Sequence, residues 1–373
     1  MTASAPPILQ VGGYPPPYGG ITVHIQRLCR EMAGAGLRVR VADPYSDDAP
    51  AGKRALWGGL VAPLIGRPWR KALALLKLCR ESRVIHFHGS ALENLWMLGI
   101  AAPLLRAPYV VSIHSGNFPG RWSEMRALKR LCIRSLIARA SAVVCVNASL
   151  ADFVSREIAP LRRSLVLPAF IPPERPATIH AAIASLRERC DAIVLSSGFP
   201  LDNYGIDTLI EAVRQLRGTR RIGLALVLYA TSDPTNPDRY REEEARVRRA
   251  VEAFRAESDA VVVMDGVAPE AFSSIQAGCD VFVRNTRFDG DSVALREAAH
   301  LGCRIVASDA VARPPGALLF RAHDVGDLRR AIDEACGRED AGRVVSDVDN
   351  AKALISLYRE LLATAPRTRS TAV

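Results

Sequence analysis

The chain has 373 residues, of which 49% are hydrophobic and 24% are charged. This composition is typical of a globular protein, and the length favours two domains over one core. The longest apolar run, Leu95 to Leu105, contains Pro103 and has about half the length of a membrane span. The N-terminus lacks the pattern of a signal peptide, and the cysteines are scattered singly. These features predict a cytoplasmic protein with reduced thiols and no zinc site.

The positive charge is concentrated in the first half of the chain. Residues 1–170 carry 22 Lys and Arg against 9 Asp and Glu, a net of +13, and the remainder carries 27 against 30, a net of −3. Residues 52–83 hold eight basic residues and one acid, interleaved with Trp and Leu. This mixture suits an anionic membrane surface, although a solvated helix face would look the same. No nucleic-acid partner is expected, because no recognition motif accompanies the charge.

Apolar strands alternate with helical patterns from the start of the chain. The first strand, "PPILQVGG", is followed by apolar residues at positions 21, 25, 28, 29 and 32, which is helical spacing. Further short strands end at small or polar residues. In the first half they are "LRVRVAD", "VIHFHG", "APYVVSIHSG" and "SAVVCVNAS", and in the second half "AIVLSSG", "GLALVLYA", "AVVVMDG", "CDVFVRN" and "CRIVASD".

This alternation predicts an α/β protein with two doubly wound, Rossmann-like domains. A proline-rich stretch, "LVLPAFIPPERPATI", marks the junction. We therefore expect the domains to span residues 1–168 and 169–350. A last helix over 351–364 is expected to pack back across the junction, and residues 365–373 to form a disordered tail.

In open parallel sheets, ligands bind where the strands end, and the unusual residues of this chain follow strand ends. Gly20 opens a helix after "GGYPPPYG", where free amides suit a phosphate, but glycines also commonly precede helices. His114 ends the strand "VVSIH" and is a candidate to contact a sugar or phosphate, or is simply a packed loop residue. His86 and His88 share one face of another strand. No carboxylate or cysteine joins them, so we expect no metal site.

The second half of the chain has two such turns. One is "LSSGFPLDNYG", which includes Gly198 and Tyr204 and contains no Lys or Arg. The other is "VRNTRFDGDSVALREAAHLG", in which Asp291 or Ser292 is expected to cap a helix. Amides near Ser292 and Val293 would then be free for an anion, and Glu297 would lie between one and two turns inside. The alternative is an ordinary cap with Glu297 on the surface.

Taken in order, these stretches resemble the retaining glycosyltransferases of family four, which have the two-domain GT-B fold. The family's opening loop matches "YPPPYGGITVHI", its mid-domain histidine matches His114, and its "G-R-x-x-x-x-K-G" element falls on "GFPLDNYG". Its E-x7-E element falls on Asp289 to Glu297, followed by "EAAHLGCRIVAS". A branch of the family with "DGDS" and "RE" is similar to this stretch.

The resemblance implies a role for each matched position. Glu297 would hold the donor ribose and Asp289 the transferred sugar. Amides near Ser292, Val293 and Gly20 would hold the diphosphate, and His114 would lie beside the sugar or acceptor. The family needs no enzyme nucleophile, cofactor or metal. The first domain of this fold generally binds the acceptor, so its positive charge suits a lipid-linked or phosphorylated glycan.

The chain departs from the family at the arginine and lysine that pair with the diphosphate, because Phe199 and Tyr204 occupy their positions. Three explanations remain open. Arg284, Arg287 or Arg313 supplies the charge instead, the donor differs, or catalysis has been lost. We therefore expect a retaining glycosyltransferase of bacterial surface polysaccharide, lipopolysaccharide or glycolipid synthesis. The alternative is a non-catalytic GT-B-like subunit that binds a nucleotide or a partner.

Overall fold

A computed structural model describes residues 7–16, 18–45, 59–89, 92–114, 118–231, 238, 240–345 and 349–365. The chain divides into two compact units. The first unit runs to Ile171 and resumes at Val348, and the second unit is Pro172–Asp347. The division therefore lies inside the proline-rich stretch. Residues 52–58 of the basic segment and residues 366–373 of the expected tail lie outside the described residues.

The first unit contains a parallel sheet with seven strands in its described part. Its central strands are fully buried, as expected for a sheet with helices on both faces. The strands are β1 (Ile8–Val11), β2 (Val39–Asp43), β3 (Val61–Pro63), β4 (Val84–Gly89), β5 (Tyr109–Ile113), β6 (Ala142–Cys145) and β7 (Ser164–Val166). Their spatial order is β3-β2-β1-β4-β5-β6-β7. The short edge strands β3 and β7 were not predicted, because three-residue strands leave no clear alternation.

Helices connect these strands, as parallel neighbours require. They are α1 (Gly20–Gly34), α2 (Pro68–Glu81), α3 (Leu92–Ala101), α4 (Phe118–Glu124), α5 (Ala127–Arg139) and α6 (Ala148–Phe153). A 3₁₀ turn, Ala102–Leu104, follows α3, and a π turn, Val154–Ile158, follows α6. In α1 the predicted apolar positions lie toward the sheet, with Ile25, Leu28 and Met32 fully buried.

The second unit contains a parallel sheet with six strands in its described part, in the order β10-β9-β8-β11-β12-β13. The strands are β8 (Ala192–Gly198), β9 (Ile222–Leu228), β10 (Val261–Asp265), β11 (Val281–Arg284), β12 (Arg304–Ser308) and β13 (Leu318–Phe320). The helices are α7 (Ala181–Arg187), α8 (Ile206–Leu216), α9 (Arg241–Ala256), α10 (Pro269–Gln276), α11 (Val293–His300) and α12 (Val325–Gly337). A 3₁₀ turn, Asp202–Tyr204, precedes α8.

The last helix, α13 (Asn350–Thr364), belongs to the first unit. Leu354, Leu357 and Tyr358 are buried with Met32 of α1 in one apolar cluster. The helix therefore completes the core beneath β1, β4 and β5. Ala365, placed at the start of the tail by the sequence, is buried at the end of this helix.

Candidate functional site

Two polar clusters lie where the central strands of each sheet end, one in each unit. In the second unit the cluster begins with Gly198 at the end of β8. A Cβ at this position would lie 2.1 Å from the ring of Tyr204, so only glycine admits the tyrosine. The Tyr204 ring also lies 5.0 Å from the guanidinium of Arg284. Tyr204, which stands where the family has its lysine, thus contacts the cation of Arg284 but carries no positive charge itself.

Arg284, at the end of β11, and Arg313 share one carboxylate, that of Asp289. Arg284 Nε lies 2.9 Å from Asp289 Oδ2, and Arg313 Nη1 lies 3.1 Å from the same oxygen. The side chains of Asp289 and Arg313 are 11% and 2% exposed. Burial alone would raise the pKa of Asp289, but the charges and hydrogen bonds of both arginines outweigh it and hold the pKa well below its usual range. Asp289 is therefore a carboxylate between two guanidinium groups.

Arg313 is bound to the protein through each of its nitrogens. Nη2 donates to Thr286 Oγ1 and Ser308 Oγ at 3.0 and 3.2 Å, and Nε donates to the Ser308 carbonyl at 3.0 Å. Arg284 also donates from Nη1 to the Ser197 carbonyl at 3.3 Å. The two arginines and one aspartate leave the cluster with one net positive charge, which is the sign a diphosphate requires.

The third candidate arginine, Arg287, lies outside this cluster. Its side chain is exposed, and its Nε lies 3.3 Å from His323 Nδ1. Asn285 determines where Arg287 lies, because its side chain fixes the backbone of this loop. Asn285 Nδ2 donates to the Gly205 carbonyl at 2.9 Å, and its Oδ1 accepts from the His323 amide at 3.2 Å.

Ser292, rather than Asp291, caps α11. Its hydroxyl accepts from the Leu295 amide at 3.3 Å. Asp291 instead pairs with Arg296, whose Nε lies 2.8 Å from both carboxylate oxygens. Burial raises the pKa of Asp291, and Arg296 only partly offsets this. Arg296 was not among the sequence candidates, although its spacing of five residues from Asp291 was a usable signal.

Glu297 lies in the second turn of α11 and is 5% exposed. The alternative that Glu297 is a surface residue is therefore wrong. Val293 is the first residue of α11, directly after the Ser292 cap. The structure thus brings Asp289, Ser292, Val293 and Glu297 together at the end of β11.

In the first unit, Gly20 is the first residue of α1, after Gly19 at the cap position. Thr22 Oγ1 accepts from the Gly19 amide at 2.9 Å. The first turn of α1 contains no acidic residue. Nothing in this turn therefore opposes an anion at the start of the helix.

His114 belongs to a cluster of four histidines at the ends of β4 and β5. Its Nε2 lies 3.1 Å from His88 Nδ1, and His88 Nε2 lies 2.7 Å from Gln10 Oε1. His86 contacts Tyr358 Oη through Nδ1 at 2.5 Å and Ser112 Oγ through Nε2 at 2.7 Å. His24 of α1 completes the set, with its ring centroid 5.5 Å from that of His114. Sequence reasoning placed His86 and His88 on one face but missed Gln10 and Tyr358, which lie 348 positions apart.

These histidines are neutral. Burial lowers the pKa of His24 to about 4 and that of His86 to about 3. Burial, and then the neighbouring rings, also lower the pKa values of His88 and His114 well below 6.5. Within the described residues, no group of three or more His, Cys, Asp or Glu could hold a metal ion. No helix in that part of the chain is long and apolar enough to cross a membrane.

Residues 18–175 match the model of Glycosyltransferase Family 4. These residues are therefore similar to a glycosyltransferase family 4 domain. The match confirms the resemblance to this family and the enzyme class that the sequence predicted, whereas the "DGDS…RE" branch stays a prediction. No curated protein matches the chain.

Solved structures confirm the fold. Sucrose-phosphate synthase from Thermosynechococcus elongatus superposes with a TM-score of 0.70 at 18% identity, covering 96% of this chain and 100% of the other. HepE from Anabaena, in complex with UDP and glucose, gives 0.70 at 16% identity, covering 96% and 97%. A trehalose-phosphate synthase from Burkholderia xenovorans gives 0.70 at 11% identity, covering 95% and 99%. The fold is therefore GT-B, with one Rossmann-like sheet in each unit.

The buried ion cluster predicts a large stability difference between two arginines. Arg313→Met should lower the free energy of unfolding by about 3 kcal/mol, because Asp289 loses a buried partner. Arg330→Met is the matched control. Arg330 is 52% exposed in its pair with Asp327, so its loss should cost less than about 1 kcal/mol. Urea unfolding of both variants measures the difference, and equal losses would contradict a buried clamp on Asp289.

The neutral histidines predict acid sensitivity of the first unit. Because burial depresses the pKa of His24 to about 4, the native protein binds fewer protons than the unfolded chain between about pH 6.5 and 4. The free energy of unfolding should therefore decrease as the pH is lowered from about 6.5 to 4, by up to about 1.4 kcal/mol per pH unit for each such histidine. His24→Gln should reduce the slope of this decrease by the contribution of one proton, because one titrating histidine is removed. Urea unfolding across this pH range tests it, and an unchanged slope would refute the prediction.

Proposed function

We propose that this chain is a retaining glycosyltransferase that moves a sugar from a nucleotide-diphosphate sugar to a bacterial surface polysaccharide, lipopolysaccharide or glycolipid. The observation that carries the proposal is the turn between β11 and α11. It gathers a buried carboxylate (Glu297), a helix start capped by Ser292, and a cluster of positive charge around Asp289. HepE, which has a similar fold, binds UDP and UDP-glucose. Binding of a nucleotide donor at the turn between β11 and α11 is the simplest use of these groups.

Each group has a distinct task in this proposal. Glu297 accepts hydrogen bonds from the ribose hydroxyls, and the amides near Val293 bind a phosphate at the helix start. Gly198 and Tyr204 are assigned to the donor site beside Arg284, and Asp289 to the transferred sugar. In the first unit, the amide of Gly20 is assigned to the diphosphate and His114 to the sugar or acceptor.

Arg284 is the better candidate to neutralise the diphosphate. Both arginines donate from all three of their side-chain nitrogens, Arg313 to Asp289, Thr286 and Ser308 and Arg284 to Asp289 and the Ser197 carbonyl. They differ in exposure, because the side chain of Arg313 is 2% exposed. Arg284 is more accessible, at 12% exposure. We propose that Arg313 holds Asp289 in place while Arg284 contacts phosphate. The positive charge that the family places in the loop after β8 would then come from the end of β11.

The reaction then needs no nucleophile from the protein and no metal. The acceptor hydroxyl attacks the anomeric carbon as the bond to the diphosphate breaks, and the departing phosphate oxygen takes the hydroxyl proton on the same face. The configuration is thereby retained. The protein stabilises the negative charge that builds on the diphosphate, which is the role proposed for Arg284 and the α11 amides.

One observation favours the second candidate function, a non-catalytic subunit that binds a nucleotide or a partner. Both buried arginines near the turn are already paired with Asp289. If neither can turn to a phosphate, the site would bind a nucleotide weakly and transfer nothing. Nucleotide binding and transfer must therefore be measured separately.

Calorimetric titration with UDP, GDP, ADP and CMP, and with their common sugar conjugates, tests the donor site. We expect one nucleotide to bind, and Glu297→Ala to abolish that binding because the ribose loses its buried acceptor. Arg284→Met should weaken binding of the diphosphate about tenfold or more, since a charge-assisted hydrogen bond is lost. Arg287→Met is the matched control and should bind normally.

The outcomes separate the explanations. Binding that survives Glu297→Ala would refute this assignment of the turn. Normal binding without transfer to any acceptor would favour the non-catalytic subunit. A loss in Arg287→Met with none in Arg284→Met would move the phosphate contact to the exposed arginine.

We also propose that α2 docks on the cytoplasmic face of an anionic membrane, where a lipid-linked acceptor would lie. Its exposed side chains include Trp69 and Leu73, which are 55% and 59% exposed and lie one turn apart. Arg67, Arg70 and Lys77 surround them and are exposed. A basic helix with an exposed aromatic residue matches the chemistry of an anionic lipid surface.

Sedimentation with vesicles of phosphatidylcholine, with and without phosphatidylglycerol, tests this surface. Binding should require the anionic lipid, weaken with salt, and fall in the double variant Trp69→Glu, Leu73→Glu. Val345→Glu, at an exposed apolar position of the second unit, is the matched control. Leu131 of α5 is also an exposed apolar residue. If the α2 variant binds vesicles normally and Leu131→Glu does not, the membrane surface lies on α5 instead.

A further inference from the structure

The hydrogen bonds behind His114 determine which of its nitrogens carries hydrogen. The chain of contacts starts at Gln10, whose Nε2 lies 3.5 Å from Met32 Sδ and 3.1 Å from Tyr358 Oη. A thioether sulfur is only an acceptor, so the nitrogen of the Gln10 amide faces Met32. The amide oxygen therefore faces His88, 2.7 Å from its Nε2.

The two histidines that follow have only one consistent arrangement. His88 Nε2 must donate its hydrogen to Gln10 Oε1, so Nδ1 of the neutral His88 ring has a free lone pair. His114 Nε2 lies 3.1 Å from that Nδ1 and must donate to it. The remaining nitrogen of His114, Nδ1, therefore carries no hydrogen. Charged forms do not intervene, because burial lowers the pKa of both rings well below 6.5.

His114 Nδ1 is buried and has no hydrogen-bond partner. An unpaired buried acceptor is destabilising, and a ligand that donates a hydrogen bond to it would remove this cost. His24 is in the same condition. Its ring donates to the Ala169 carbonyl, its Nδ1 is buried without a partner, and its centroid lies 5.5 Å from that of His114. Two neighbouring imidazole rings thus each have an unpaired Nδ1.

We propose that His114 and His24 form an acceptor pair for two hydroxyl groups of one sugar, and that Gln10 and His88 are positioning residues that fix the acceptor tautomer of His114. The identification of the ligand as a sugar rests on the proposed function. Only O–H or N–H donors satisfy these nitrogens. A carboxylate, as in a uronic acid, or an ether oxygen would meet a lone pair and be rejected.

Gln10→Glu is the sharpest perturbation, because it keeps the shape of the side chain. A buried carboxylate beside His88 favours uptake of one proton, since the charge-neutral pair is less costly to bury. When that proton resides on His88, or on the carboxyl oxygen that faces His88 Nε2, His88 carries hydrogen on Nδ1. That hydrogen points at His114 Nε2, so the hydrogen of His114 should move to its Nδ1. The acceptor becomes a donor.

Nitrogen NMR of the full-length protein with ¹⁵N-labelled histidine reads the tautomers directly, with His114→Gln to assign the signals. We expect hydrogen on His114 Nε2 in the natural protein, on Nδ1 in Gln10→Glu, and on Nε2 in the matched control Gln26→Glu. Should Gln10→Glu not fold, the double variant Met32→Leu, Tyr358→Phe removes both partners of the Gln10 amide nitrogen and should yield a mixture of both tautomers. Hydrogen on His114 Nδ1 in the natural protein would overturn the inference.

Transfer assays with UDP-, GDP- and ADP-glucose separate the inference from the proposed function. If the chain transfers sugar, Gln10→Glu should lower kcat/KM by roughly 10- to 100-fold, the cost of one misdirected buried hydrogen bond, while nucleotide binding to the second unit persists. A tautomer that inverts as expected with no loss of kcat/KM would overturn the role of His114 toward the sugar. The predicted tautomer without any nucleotide binding would refute the transferase, yet leave the hydrogen-bond chain intact.

Discussion

The constraint on which both units depend is the burial of a parallel sheet on its two faces. Such a sheet has no polar face, so polar side chains gather toward the ends of the strands. There they are shielded from water and must find partners within the protein. Asp289 meets this constraint with two arginines, and His88 meets it with Gln10 and His114. The clusters differ in charge, but the same geometry imposes both.

The departure from the family pattern at Phe199 and Tyr204 is structurally coherent. Tyr204 fills the space above Gly198, where any side chain would collide, and its ring lies against Arg284. Arg284 in turn binds Asp289, which Arg313 holds from the other side. Restoring a lysine at position 204 alone would place a third cation beside this cluster. The tyrosine, the two arginines and the aspartate thus form one interdependent set, which argues against random decay of a lost site.

The sequence predicted the alternation of strands and helices, because buried strands and amphipathic helices differ in period. It also limited the helix cap to Asp291 or Ser292 and predicted the turn around Asp289, since local spacing determines both. It could not predict that Arg284 and Arg313 share one carboxylate, or that Arg287 does not join them. Those outcomes depend on Asn285, which ties its loop to Gly205 and His323 across the fold. The contact between Gln10 and Tyr358 is beyond any local pattern for the same reason.

The basic surface of the first unit and its buried polar cluster have separate physical explanations. The first unit has a strongly basic sequence, yet its buried polar cluster is uncharged, because burial suppresses protonation of all four histidines. Surface cations attract an anionic partner over a distance of about 10 Å, whereas buried neutral nitrogens discriminate only at hydrogen-bond range. In the proposed function, surface cations attract an anionic partner and buried nitrogens select a hydroxyl group, so the two tasks belong to different atoms of one domain. In the proposed transferase, an added positive charge at the surface should change the association rate of an anionic acceptor, while a misplaced hydrogen on His114 should lower kcat/KM.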